Sequence, residues 1–284
     1  MIAIADGGST KVDWRIMFDN EEFMAFSSKG YNPFFWKFEA VAKDLTATIP
    51  EGLDPNLLKE VHFYGSGCSD ESRCKIIKDA FQIIFPNATI VVEHDLLASA
   101  RSTCGANAGI ACILGTGSNS CEYDGTDITD NVTNLGFMLG DEGSGGDLGK
   151  RIIRSYFYRE MPADLCTKLE AVYPMDKSAV FDKIYVDKSP NVYLAKFSKF
   201  CSHNNSHPFI QQLAKSAFNE FITRHVLKYS GHQTYPIHFI GSVAFHFKSI
   251  LEEVILEHNL KMGIVIKKPI DNLVRYHIGQ EIVQ

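Results

Sequence analysis

The chain has 284 residues, 45% of them hydrophobic and 22% charged, with a net charge of −6. That length holds two domains or one large one with a substantial core, and the absence of any basic block or Arg-rich helix argues against a nucleic-acid partner. Apolar runs such as residues 110–114 are far too short to span a bilayer. The first residues show no basic region followed by an apolar stretch, so no signal peptide and no membrane anchor are expected, and the cytoplasm is the default location. Seven cysteines, scattered and without a C-x-x-C, read as reduced thiols.

In chain order, residues 2–5 form a short apolar run that ends at Asp6. Gly7, Gly8, Ser9 and Thr10 follow, and then Val12, Trp14 and Ile16 alternate with Asp13 and Arg15. This reads as strand, tight turn, strand. Residues 22–27 fit a third strand and residues 29–33 a loop. Phe34, Phe38, Val41 and Leu45 then share a helical face. Residues 61–64 read as a strand running into Gly65-Ser66-Gly67, and Ser69 or Asp70 suits the cap of a helix reaching Phe85. Residues 89–92 are another buried-type strand, followed by His94-Asp95 and a helix over 96–103. Strands joined through helices pair in parallel and short hairpins pair antiparallel, so the pattern predicts a mixed sheet with helices on its faces.

The pattern starts again near Gly109. Strands over 110–114 and 118–123 flank the turn Gly115-Thr116-Gly117, and a short third strand falls within 127–132. The stretch 134–149, NLGFMLGDEGSGGDLG, has six glycines in sixteen residues and reads as a loop. Helices are expected at about 150–159, 163–172 and 209–229. An apolar strand over 235–240 breaks at Gly241-Ser242, and a helix over 244–257, a strand over 264–266 and a closing helix over 269–282 complete the chain. His203 and His207 form H-x-x-x-H in a loop-like segment with no third ligand in view, so no zinc site is expected there. We expect an N-terminal domain over 1–112, a C-terminal domain with a helical insertion over 113–269, and a last helix, 270–284, packed back on the first domain.

The two glycine turns carry the chemistry. Gly7 and Gly8 allow positive φ and leave the backbone bare, so amide groups can approach an anion. Ser9 and Thr10 add hydroxyl donors, Lys11 adds charge, and Asp6 suits a metal held through water. A Gly-rich hairpin turn explains one such element equally well. Two of them, one at the start of each half, point to two similar domains closing on one polyphosphate. Gly149-Lys150 lacks the Ser or Thr that a P-loop lysine needs, and neither a dinucleotide-binding fingerprint nor a nucleophile elbow is present.

Asp6-Gly7-Gly8-Ser9-Thr10-Lys11, Asp95 just after a strand, Leu114-Gly115-Thr116-Gly117-Ser118-Asn119, Gly140-Asp141-Glu142-Gly143-Ser144-Gly145 and Ile240-Gly241-Ser242-Val243-Ala244 occur in that order. In this arrangement the chain resembles the sugar-kinase branch of the actin/hexokinase/Hsp70-type ATPases. It is most similar to the N-acetylglucosamine kinase family, which groups with the BadF/BadG/BcrA/BcrD ATPases. The resemblance implies an α/β fold of two ribonuclease-H-like domains, with nucleotide and sugar in the cleft between them. It implies ATP and Mg²⁺ as cofactors. Gly8, Ser9, Thr10 and Lys11 would hold the β/γ-phosphates, Asp6 the hydrated Mg²⁺, and Gly115, Thr116 and Gly117 phosphate from the other domain. Gly241 and Ser242 would meet adenosine. Ser9 and Ser242 stand where the family often has glycine. Asn32, Ser118, Asn119 and Asp141 would contact the sugar, with Glu142 as a further group for Mg²⁺ or ligand.

Asp95 is the candidate base, because a sugar hydroxyl attacking a phosphoryl group needs a carboxylate to accept its proton. Its place at the carboxyl end of a strand fits that role, and a helix cap is the plainer alternative. The implied reaction is phosphorylation of the 6-hydroxyl of N-acetylglucosamine. N-acetylmuramic acid, glucosamine and glucose are rival acceptors, and the loop holding Tyr31, Asn32 and residues 34–36 would shape that choice. A second rival is an ATPase that activates a partner enzyme, whose relatives use paired cysteines for an iron–sulfur cluster; no such pair stands out here. Homodimers are common in the resembling family, and no feature of the sequence specifies an interface.

Overall fold

A hairpin opens each half of the chain. The computed structural model describes residues 1–8, 10–19 and 22–283, so Ser9 lies outside the described residues. It divides into two units, residues 1–106 with 269–283, and residues 107–268.

The first unit holds strands β1 (Ile2–Gly7), β2 (Lys11–Met17), β3 (Phe23–Lys29), β4 (Glu60–Gly65) and β5 (Thr89–His94), in the order β3-β2-β1-β4-β5. β1, β2 and β3 pair antiparallel; β4 and β5 join β1 in parallel. The alternation along β2 buries Val12, Trp14 and Ile16 completely. Trp14 stacks on Phe26 at 5.5 Å and meets Phe81 at 5.5 Å, and its indole N–H donates to Ser28 Oγ at 3.0 Å. Helices α1 (Phe38–Thr46), α2 (Glu71–Ile84) and α3 (Asp95–Cys104) connect the strands. Of the two expected caps for α2, Asp70 serves, accepting from Arg73 N.

The second unit repeats this topology. Strands β6 (Gly109–Leu114), β7 (Ser118–Tyr123), β8 (Ile128–Asp130), β9 (Ile237–Ile240) and β10 (Met262–Ile266) take the order β10-β9-β6-β7-β8, again a hairpin meander extended by two parallel strands. β6 lies whole within this unit, whereas a division at 112/113 would cut it. Helices α4 (Gly136–Leu139), α5 (Gly145–Phe157), α6 (Ala163–Glu170), α7 (Lys177–Phe181), α8 (Pro190–His203) and α9 (Pro208–Arg224) fall between β8 and β9. The short α10 (Ser242–His246) and α11 (Lys248–Glu257) join β9 to β10, so the single helix expected over 244–257 is broken at Phe247.

The chain ends in unit one with α12 (Ile270–His277). Asn272 Nδ2 donates to the Ser102 carbonyl of α3 at 3.0 Å, and Asp271 pairs with Arg15 of β2. Among the described residues, no helix is long and apolar enough to cross a membrane.

Candidate active site

In unit one, strand register brings the candidate residues to one edge. Gly7 pairs with Gly65, and Gly65 pairs with His94. The carboxyl ends of three parallel strands therefore stop level, which is where open α/β sheets present ligand-binding groups. Asp6 stands one residue back on β1, and Asp95 opens α3 directly after β5. Glycine is required along this line. A Cβ on Gly7 would lie 2.7 Å from the Phe63 ring, and one on Gly65 2.7 Å from Cys68 Sγ. The Ser66 amide donates to the Gly7 carbonyl at 2.7 Å and ties the two loops together.

The first glycine turn is tight. The Gly8 N–H donates to the Lys11 carbonyl at 2.9 Å, so it closes the turn. Thr10 is exposed. Lys11 is half exposed, with Nζ 2.6 Å from Asp13 Oδ1. Asp13 faces Asp6 across the β1–β2 ladder, and Lys11 offsets the charge of Asp13.

Asn32 sits in a turn just before Pro33. Its Oδ1 accepts from Phe34 N at 3.0 Å, and its carbonyl accepts from Phe35 N and Trp36 N. The carboxamide also packs on Gly67, which has φ +85 and no room for a Cβ. Tyr31 is buried against Trp36, while Phe34 and Phe35 are exposed.

Asp95 Oδ1 lies 2.9 Å from His94 Nδ1. The same nitrogen accepts from Leu96 N at 3.0 Å, so His94, and not Asp95, caps α3. Burial lowers the proton affinity of His94, and the Asp95 carboxylate more than reverses this, leaving its pKa raised above 6.5. Cys68 is pushed up to about 12, first by burial, then by Cys74 and Asp95. It is thus an unreactive packing thiol beside the carboxylate.

In unit two, the turn at 115–118 is braced from two sides. The amides of Gly145 and Gly146, at the start of α5, donate to the carbonyls of Gly115 and Thr116 at 2.8 and 3.0 Å. A Cβ on either glycine would press within 3.2 Å of those oxygens. On the other side, Gly241 (φ +119) backs directly onto Leu114 and Gly115, and a Cβ there would run into the Leu114 carbonyl. Ser242 follows it, exposed.

Asp141 is buried and left-handed, with φ +60. Its Oδ1 accepts from Ser118 N at 3.0 Å and from Asn134 Nδ2 at 2.9 Å. Asn134 Nδ2 also donates to the Ser118 carbonyl. The Ser118 hydroxyl is buried and has no hydrogen-bond partner among the described residues, which suits a ligand contact. Asn119 Oδ1 accepts from Ser120 N and Asn131 Nδ2. Glu142 is held by His225 and lies 3.6 Å from Arg224. A cavity of about 890 Å³ lies against this loop, lined by Gly140, Glu142, Lys150, Arg151 and Arg224 among others.

Sequence reading did not find Asn134, His94 or His225. His225 acts through a contact 83 residues away in the chain, and no local pattern marks Asn134, which ties Asp141 to the Ser118 carbonyl. His94 was legible, since it directly precedes a strand-end aspartate.

No protein-family model matches this chain, and no curated protein matches it. A solved structure of a candidate N-acetylglucosamine kinase from Porphyromonas gingivalis is 38% identical, over 98% of this chain and 99% of that one, with a TM-score of 0.92. The chain belongs to the N-acetylglucosamine kinase family. A second candidate N-acetylglucosamine kinase, from Chromobacterium violaceum, is 16% identical over 97% of this chain and 98% of its own, with a TM-score of 0.71. A ROK family glucokinase from Streptomyces griseus, solved with glucose and AMPPNP, is 12% identical over 94% and 93%, with a TM-score of 0.55. These last two share the fold, the actin/hexokinase-like ATPase architecture of two mixed five-stranded sheets flanked by helices. As a member of its family the chain is a phosphotransferase of the sugar-kinase type.

Proposed function

We propose that this N-acetylglucosamine kinase family member transfers the γ-phosphoryl group of ATP to the 6-hydroxyl of N-acetylglucosamine. The observation that carries the reading is the level line Gly7, Gly65, His94, which sets Asp6, the Gly65-Ser66-Gly67 loop and Asp95 along one sheet edge. Phosphoryl transfer needs positioning, charge stabilisation and a carboxylate for the hydroxyl proton. Asp95 is partly exposed, with Oδ1 2.9 Å from His94 Nδ1.

The residues present fit a nucleotide with a hydrated Mg²⁺. Among the described residues no group of three His, Cys, Asp or Glu could hold a metal ion by itself. A single carboxylate, Asp6, suits Mg²⁺, which keeps most of its waters and takes other oxygens from phosphate. When bound, the ion neutralises charge on the transferred group. Gly8, Ser9 and Thr10, with Gly115, Thr116 and Gly117, serve the phosphates, and Lys11 contributes charge from its pair with Asp13. Gly241 and Ser242 serve the nucleoside. The AMPPNP held by the glucokinase of the same fold supports ATP as the donor.

Asn32, Ser118, Asn119 and Asp141 serve the sugar. The unpartnered Ser118 hydroxyl supports this for Ser118. The Porphyromonas gingivalis relative supports N-acetylglucosamine as acceptor.

ADP release from Mg²⁺-ATP, measured with N-acetylglucosamine, N-acetylmuramic acid, N-acetylmannosamine, glucosamine, glucose and no sugar, tests the reading. N-acetylglucosamine should stimulate most. Turnover indifferent to every sugar would contradict it and favour an ATPase that drives a partner.

A further inference from the structure

Asp141 and Gly143 are both left-handed, with φ +60 and +72, and Glu142 stands between them. A non-glycine residue in that conformation carries a cost that its surroundings must offset. Part of the offset is plain: Asp141 bonds Ser118 N and Asn134, its carbonyl accepts from Ser144 N at 3.1 Å, and Gly143 N donates to Asp147 Oδ2 at 3.1 Å. Glu142 points the other way. Its Oε2 lies 3.1 Å from Nε2 of His225, 83 residues later and just past the end of α9.

His225 is built to hold that carboxylate. It is 4% exposed and stacks on Phe221 at 5.0 Å, and its Nδ1 is buried without a hydrogen-bond partner among the described residues. A stranded N–H costs more than a stranded lone pair, so the ring proton belongs on Nε2, where it donates to Glu142. Phe221 also packs against the backbone of Gly143, whose added Cβ would lie 3.1 Å from Phe221 Cβ. Arg224 adds only an exposed partner at 3.6 Å, worth little in water.

We propose that His225 is a positioning residue for the sugar site. Its Nε2–H fixes Glu142, which keeps Asp141 in its left-handed conformation with Oδ1 on the Ser118 amide. The proposal rests on the sugar-kinase reading for its effect on substrate and on the structure alone for its effect on the loop.

The test uses the full chain with His225→Leu, which fills the space without a donor, and His225→Gln, whose amide reaches the same place. Amide hydrogen exchange at Ser118 and over 141–144 reads the loop; KM for N-acetylglucosamine and for ATP, with kcat, reads the site. In His225→Leu, exchange at Ser118 and the sugar KM should both rise on the order of tenfold, as expected for a lost charge-assisted hydrogen bond. The ATP KM should hold, and His225→Gln should return both changed values toward wild type. If the Leu variant does not fold, His225→Asn, too short to reach Glu142, takes its place with the same expectation. Ser118 exchange at the wild-type rate in a folded Leu or Asn variant would overturn the proposal. Faster exchange with an unmoved sugar KM would uphold the tether and count against Asp141 as a sugar ligand.

Discussion

His94 Nδ1 faces two partners at once, Asp95 Oδ1 at 2.9 Å and the Leu96 amide at 3.0 Å. Only a protonated Nδ1 can donate to the carboxylate, and only a bare one can accept from the amide. A protonated His94 holds Asp95 as an ion pair and occupies the oxygen that would take the hydroxyl proton. Asp95 raises the His94 pKa above 6.5 despite burial, so this state persists at pH 6.5 and fades as pH rises through the raised value. Turnover should therefore climb with pH above 6.5, and His94→Asn, which cannot titrate, should flatten that limb. A profile unchanged in His94→Asn would contradict the coupling. The same sign governs stability: the pair contributes below pH 6.5 and its contribution is lost above the raised pKa.

Gly149 and Gly241 test packing against function. Gly149 sits in α5, where an added Cβ would run into the Leu194 carbonyl of α8. Gly149→Ala should lower unfolding free energy by about 1–3 kcal/mol, the usual result of overpacking, with the KM for ATP unchanged. Gly241→Ala strains a φ of +119 and pushes on the backbone of Leu114 and Gly115. It should raise the KM for ATP as well as lower stability. Chemical denaturation and nucleotide titration separate the two outcomes.

His277 and His238 predict acid sensitivity. Burial first, then His62 and Arg101, lower the His277 pKa to about 3. Burial and Lys261 lower that of His238 to about 4. The unfolded chain binds these protons near pH 6.5, so it holds more protons than the folded chain between those values. Stability should fall as pH drops from 6.5 toward 4. His277 Nε2 lies 2.9 Å from the Tyr64 hydroxyl, which itself accepts from Arg101, so the neutral ring acts as acceptor. His277→Gln keeps an acceptor without a titrating proton and should flatten the acid limb of a Tm-versus-pH curve.

What could be read from sequence was what local patterns carry. Alternation along Val12, Trp14 and Ile16 marked β2, and the glycine turns marked both hairpins. The start of α5 was misplaced at Lys150 because Gly145, Gly146 and Gly149 read as loop. In the structure these glycines are packing devices, two laid against the 115–118 turn and one against α8. α8 was overlooked although Leu194, Phe197, Phe200 and Cys201 recur at helical spacing and are buried. The pair Lys11 and Asp13 could have been expected, since residues two apart on a strand share a face. The Glu142–His225 link could not, because only the tertiary fold brings the two together, and the turn geometry that aims Asn134 at Asp141 has no pattern in the sequence.

The proposed reaction is phosphoryl transfer to the sugar 6-hydroxyl with Asp95 as base. NMR of the product formed from ATP and N-acetylglucosamine tests it most directly, run on the native chain and on Asp95→Asn together. Phosphate is expected on the 6-oxygen, with turnover lowered about 10²–10⁴-fold in Asp95→Asn and nucleotide binding retained. Phosphate at another position, inorganic phosphate alone, or an unaffected Asp95→Asn would contradict it.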